Sequence, residues 1–264
     1  MFIYYPNLLS EPYWRGELSE MVFENYAFGY ENDCVVFAPH RFDLSYFRQQ
    51  HPSSKIIAYQ TESIKDGTGC IPKDWILRGV EHADEVWDHD LDNIEILKQH
   101  GIEAKFKPAR YTNSLNVGNP IEEPDIDVLF IGSPTEYRGL FFENFNLSSV
   151  VPDAEVQEQL NFKFITAHQV YGKLKHELMN RSKIILNVPS YEGSVQPQGR
   201  LFFYLSNNKC ILSKKATINY YDDLIIEYED ANDCAAKIRY LIRDDNWRKF
   251  TNYSFKEYCD VKFG

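Results

Sequence analysis

Twice along this chain, short and almost wholly apolar runs alternate with amphipathic stretches and polar turns, and that alternation restricts the fold more than any other feature. The runs CVVFA (Cys34–Ala38), KIIAY (Lys55–Tyr59), DVLFI (Asp127–Ile131) and KIILNV (Lys183–Val188) leave no polar face. A strand apolar on both sides is buried on both faces, as in a parallel sheet covered by helices. The first series of strands is completed by Phe2–Tyr5, Glu85–Trp87 and Lys105–Lys107, with helices expected over 18–26, 44–50, 75–82 and 91–100. The second adds strands at 162–166, 209–212 and 224–228, and helices at 171–181, 200–206 and 231–243. Strand, helix, strand in this rhythm predicts right-handed βαβ units.

Between the series, TNSLNVGNPIEEPD (Thr112–Asp125) is rich in Asn, Pro and acids and poor in apolar residues, the composition of a linker. The chain therefore divides into a Rossmann-like domain over 1–112, a linker over 113–125, and a second Rossmann-like domain over 126–264 that ends in a helical tail. A length of 264 residues suits two such cores.

Composition removes several function classes. The net charge of −11 opposes nucleic acid, because neutralising phosphates requires a Lys/Arg surface. A local cluster of Lys163, Lys173, Lys175, Arg181 and Lys183 offers a face for peripheral contact with an anionic membrane. No run is long and apolar enough to span a bilayer, and the MFIYYPNLL start lacks a signal peptide's basic region and cleavage site. The expected location is the cytoplasm, with access to the inner face of a membrane. Cys34, Cys70, Cys210, Cys234 and Cys259 are odd in number and scattered, so reduced thiols are expected.

Ligands of open α/β sheets bind outside the C-terminal strand ends, where helix N-termini present free N–H groups. In the second half this rule selects Gly132 and Ser133 after DVLFI, the stretch 189–200, and Lys214 after CILS. Gly132 admits close backbone approach, and Arg138 carries a planar fork of donors suited to phosphate oxygens. The segment SVQPQGRLFF sets Gln196, Gln198 and Arg200 at the start of an apolar helix. A cation there opposes the helix dipole unless an anion lies beside it, either a ligand phosphate or a neighbouring carboxylate.

The run KIILNVPSYEGSVQPQGRLFFYLSNNKCILSKK, followed by YYDDLIIEYEDANDCAAKIRYLI, resembles the donor-binding C-terminal domain of bacterial and viral GT-B glycosyltransferases of the "glycosyl transferases group 1" kind. In the first half, DEVWDHDLDNIEILKQHGI with Pro108 is similar to the last N-domain strand and helix of these enzymes. The resemblance implies two Rossmann-like domains facing each other across a cleft. It implies a nucleotide-sugar donor as co-substrate, no other cofactor, and a glycan or glycolipid acceptor. The donor side would be formed by Gly132, Ser133, Arg138, Gln196, Gln198, Arg200 and Lys214. Two departures stand out: Gln196 and Gln198 where a Glu is common, and Lys214 where Ser-Glu is usual.

Transfer by inversion needs a base for the acceptor hydroxyl, whereas in a retaining route the donor phosphate serves. Strand-end loops of the first half offer Glu11, His40, Glu62, Asp88 and His89, with Glu62 and His40 preferred. The acidic pairs Asp222-Asp223 and Asp244-Asp245 fall at loop and helix ends, so no metal is expected. A catalytically silent nucleotide- or glycan-binding module is the second reading, and a sugar-nucleotide epimerase the third.

Overall fold

In the computed structural model the chain separates into two units, Met1–Arg110 and Tyr111–Gly264. Residues 2–4, 14–26, 33–64, 71–118, 121–145, 162–192, 196–251 and 254–263 are described below.

The first unit alternates β1 (Phe2–Tyr4), α1 (Trp14–Asn25), β2 (Cys34–Phe37), α2 (Leu44–Gln50), β3 (Ile56–Gln60), α3 (Lys73–Val80), β4 (Glu85–Asp88), α4 (Leu91–Gln99) and β5 (Ala104–Phe106). Its five strands are parallel and stand in chain order. Asp43 and Asp90 start α2 and α4 by accepting two backbone N–H groups each. Val36, Ile56, Ala58 and Val86 of the sheet pack with Leu44, Phe47, Ile76, Val80 and Leu97 of α2, α3 and α4, so those three helices share one face. Gly79 brings α3 onto the short 3-10 turn Pro39–Arg41, where a Cβ would come within 2.4 Å of the His40 Cα.

The second unit contains β6 (Ile126–Ile131), α5 (Glu136–Asn144), β7 (Phe164–Ala167), α6 (Gly172–Asn180), β8 (Ser182–Asn187), α7 (Gln198–Ser206), β9 (Cys210–Lys214), β10 (Ile226–Tyr228), α8 (Ala231–Ile242) and α9 (Phe255–Phe263). Its parallel sheet has the order β10-β9-β8-β6-β7. The chain passes from β6 to β7 on one side and then to β8 on the other, so the direction of winding reverses at β6 and β8. The cluster around Val128, Phe130, Ile184, Leu186 and Leu212 packs against Phe141 of α5 and Ile238 and Leu241 of α8.

Part of the expected linker is tied to the second unit. The Thr112 amide donates to Ser206 Oγ (3.3 Å), the Val117 amide to Asn207 Oδ1 (2.9 Å), and Asn207 Nδ2 to the Leu115 carbonyl (3.0 Å). Those side chains at the end of α7 lie some 90 residues away, so local composition carries no sign of them. The basic cluster is distributed in the same way. Lys163 and Arg181 pair with Asp125, Lys183 pairs with Asp127, and Lys175 is buried over the Phe203 ring. Cys34, Cys210, Cys234 and Cys259 are buried free thiols, and Cys70 lies outside the described residues. Among the described residues no helix is long and apolar enough to cross a membrane.

Candidate functional site

The reversal between β6 and β8 makes the crevice beyond their C-terminal ends the place where an open α/β sheet binds ligand. Two guanidinium groups stand there. Arg138, on the first turn of α5, is 3% exposed. It donates from Nε and Nη2 to the Val188 carbonyl (3.0 and 2.9 Å) and from Nη1 to the Ser133 carbonyl (2.7 Å). It thereby joins the loop after β6 to the loop after β8. Gly132 is required beside it, because a Cβ would come within 2.6 Å of the Phe130 ring and 3.1 Å of the Arg138 guanidinium.

Arg200, on the first turn of α7, donates from Nη1 to Asn187 Oδ1 at the end of β8 (3.1 Å). Asn187 is held in turn by its Nδ2 bond to Ser213 Oγ (2.8 Å) and by the Tyr228 hydroxyl on its carbonyl (3.0 Å). Burial and the nearby Arg200 push the Arg138 guanidinium down to about 9, and burial also lowers Arg200. Among the described residues neither arginine forms an ion pair with a carboxylate. A buried cation beside a half-buried one, with no acid to answer them, is strained electrostatically, and an anion between them relieves the strain. Arg138 has spent three donors on carbonyls, whereas Arg200 has used one. Arg200 is therefore the group equipped to grip a ligand, and Arg138 is a strut that adds positive field.

The other expected donor-side residues divide similarly. Gln196 is 2% exposed and consumes its amide internally: Nε2 donates to Asn219 Oδ1 (3.1 Å), and Oε1 accepts from the Tyr220 amide (3.0 Å). Gln198 is fully buried at the start of α7, and its amide donates to the Gln196 carbonyl (2.8 Å). Lys214, at the end of β9, directs its ammonium to the Glu229 carbonyl. Ser133 and Gly132 lie at the β6 end, with Thr135 capping α5 through the Arg138 amide (3.3 Å). Asn187 and, through it, Ser213 meet Arg200, whereas Asn219 and Tyr220 hold Gln196. The polar side chains of Asn187 and Ser213 at the ends of β8 and β9 are the available signal.

In the first unit His40 follows β2 and Glu62 follows β3, so the two stand on loops of neighbouring strands. Glu11 lies outside the described residues. The Glu62 carbonyl accepts from Gln60 Nε2 (2.6 Å) and Asn93 Nδ2 (2.9 Å). Beside it is a buried polar knot at the end of β4. Asp88 accepts from the Asp90 amide (2.8 Å) and from Asn93 Nδ2 (3.1 Å), and burial holds its pKa well above the usual carboxylate range. His89 Nδ1 lies 4.0 Å from Asp88 Oδ1, and burial pushes the imidazole down to about 4. Both groups are therefore biased toward their neutral forms. Among the described residues no three His, Cys, Asp or Glu side chains gather as a metal site.

Residues 123–252 match a sequence family described as Glycosyl transferase-like. No curated protein matches the chain. Among solved structures, a mutant of TarM from S. aureus in complex with Fondaparinux, alpha-GlcNAc-glycerol and UDP is similar at a TM-score of 0.59 and 16% identity, over 88% of this chain and 52% of that one. HepE from Anabaena in complex with UDP and glucose matches at 0.60 and 10% identity, over 94% of this chain and 77% of that one. Sucrose-phosphate synthase from Thermosynechococcus elongatus matches at 0.58 and 12% identity, over 99% and 76%. The chain thus spans about half the length of TarM. These likenesses show the fold, which is GT-B: two parallel-sheet α/β units.

Proposed function

We propose that this chain, a GT-B protein whose residues 123–252 belong to the glycosyl transferase-like family, transfers a sugar from a nucleotide-sugar donor to a glycan or lipid-linked saccharide acceptor. The observation that carries the reading is the pair Arg138 and Arg200 at the winding reversal of the second sheet, two guanidiniums with no carboxylate partner among the described residues. A nucleoside diphosphate supplies the missing negative charge. The structures of TarM and HepE cited above contain UDP, which makes a uridine donor the first to test.

In the proposed reaction the bond between the anomeric carbon and the diphosphate oxygen breaks, and a bond from an acceptor oxygen forms. Charge then accumulates on the leaving diphosphate. Arg200, with donors unspent and a half-buried position, stabilises that charge more than it stabilises the donor's ground state. Arg138 adds positive field, and the N-termini of α5 and α7 add their dipoles. These groups supply the charge a metal would otherwise provide, so turnover is expected to persist in EDTA. The acceptor proton is assigned to Glu62 or His40 if the route inverts.

The test is turnover over a panel of nucleotide sugars. Wild-type release of UDP, abolished by Arg200→Ala and retained in EDTA, supports the enzyme. Tight UDP binding with no turnover on any donor favours the silent binding module. That second reading draws on the full internal engagement of Gln196, which leaves no amide of this residue for a donor sugar. The expected membrane contact gains no support from the Lys163–Lys183 segment, where Asp125 and Asp127 answer three of the charges.

A further inference from the structure

The last helix, α9, makes no bond to Arg200, yet it grips the segment that holds the start of α7. The Tyr258 hydroxyl lies 2.8 Å from the Tyr220 carbonyl and 2.7 Å from Asp222 Oδ2. The Lys262 ammonium reaches the same carboxylate at 2.5 Å and lies 5.3 Å over the Tyr258 ring. Although burial acts to raise Asp222, these two partners keep its carboxyl below the usual range. Asp222 has φ +44°, a left-handed conformation that aspartate and asparagine adopt more readily than other non-glycine residues.

From this clamp a path of hydrogen bonds runs inward. The Tyr220 amide donates to Gln196 Oε1 (3.0 Å), Gln196 Nε2 donates to Asn219 Oδ1 (3.1 Å), and the Gln196 carbonyl accepts the amide of Gln198 (2.8 Å). Gln198 opens α7, two residues before Arg200. Tyr220, Gln196 and Gln198 are each under 5% exposed, so water does not compete for these bonds. The helix α9 is also seated at its start by Phe255, packed 5.5 Å from the Tyr221 ring, and at its middle by Cys259 Sγ, which accepts the Tyr111 amide (3.3 Å).

We propose that α9 is a brace for the anion site: Tyr258 and Gln196 are positioning residues that set the start of α7, and with it Arg200, so the C-terminal helix tunes donor affinity without touching the donor. The proposal rests on the reading of the α7 start as a diphosphate site. A shift of a few tenths of an ångström at α7 misaligns a charge-assisted hydrogen bond, whose strength depends on distance and angle.

The test is calorimetric titration of the full chain with UDP and with inorganic pyrophosphate, alongside melting temperatures. Tyr258→Phe removes one hydroxyl, and Gln196→Leu removes both amide bonds. Each is expected to weaken UDP and pyrophosphate three- to tenfold at a temperature where the variant is fully folded. Asp222→Asn keeps an oxygen acceptor for Tyr258 and tolerates positive φ, so its affinity is expected to stay closer to wild type than that of Asp222→Ala. The double variant Tyr258→Phe/Gln196→Leu should lose no more than the worse single variant, because both act through one path. Unchanged affinity in Tyr258→Phe with only a lower melting temperature overturns the brace, as do losses that multiply in the double variant. A wild type that binds neither probe overturns the donor reading itself, a result distinct from wild-type binding that the variants leave unaltered.

Discussion

The two sheets share strand direction and helical cover but end in opposite electrostatics. At the C-terminal edge of the second sheet, two guanidiniums are gathered where the winding reverses, and no acid among the described residues answers them. At the same edge of the first sheet the described strands stand in unbroken chain order, and the polar side chains close on one another. Asn93 donates to Asp88 and, together with Gln60, to the Glu62 carbonyl, and His89 is held neutral. Strand order accounts for the difference: a reversal splays the loops of β6 and β8 and leaves a crevice to be charged, whereas sequential strands carry their loops side by side.

The largest effect expected from testing this contrast falls on Arg138. Arg138→Ala leaves the buried Val188 carbonyl without either of its two donors and should lower the unfolding free energy of the second unit by about 3 kcal/mol, the upper end of the roughly 1–3 kcal/mol for an orphaned buried group, while water replaces the donor at the exposed Ser133. Urea denaturation measures it. A loss near zero would mean that the two loops are not joined through this side chain.

The neutral knot of the first unit is sharpened by pH. The His89 pKa is depressed to about 4 by burial, so the unfolded chain binds the proton first and stability falls as pH drops from 6.5 toward 4. The raised Asp88 works the other way: the folded state takes up its proton at higher pH than the unfolded chain, and stability rises as pH falls through that value. The wild-type profile should therefore be shallow. Asp88→Asn removes the compensating group and should cost the first unit about 3 kcal/mol between pH 6.5 and 4, from 1.36 kcal/mol per pKa unit. Chemical denaturation across that range follows it, and parallel profiles for variant and wild type would show that Asp88 and His89 do not offset each other.

The smallest effect concerns Lys214. Its ammonium is occupied by the Glu229 carbonyl, so Lys214→Ala should change UDP affinity less than twofold. A tenfold loss would move the anion site toward β9.

Much of this architecture was legible in single segments. DVLFI, KIILNV and CVVFA have no polar face, and each became a strand of a parallel sheet within one or two residues of the expected bounds. The position of Arg200 on the first turn of α7 was legible in SVQPQGRLFF, where a cation at an apolar helix start is a local contradiction. The role of Arg138 was not, since it depends on the distance between the ends of β6 and β8, some 50 residues apart. Gln196 likewise looked free to meet a donor until Tyr220 and Asn219, more than 20 residues on, took up both ends of its amide. The segment 113–118 looked loose because the Asn207 side chain that secures it belongs to another helix. Local pattern thus gave the elements, while the assignment of side chains to ligand or scaffold depended on contacts that only the fold creates.

The central claim is that Arg200 stands in an anion site at the winding reversal of the second sheet. Titration calorimetry of UDP and uridine against wild type and Arg200→Ala tests it most directly. The account predicts that wild type binds UDP at least tenfold more tightly than uridine, about 1.4 kcal/mol or more, and that Arg200→Ala removes most of that preference while leaving uridine binding nearly unchanged. Equal wild-type affinity for UDP and uridine, or a preference that survives in Arg200→Ala, would contradict it.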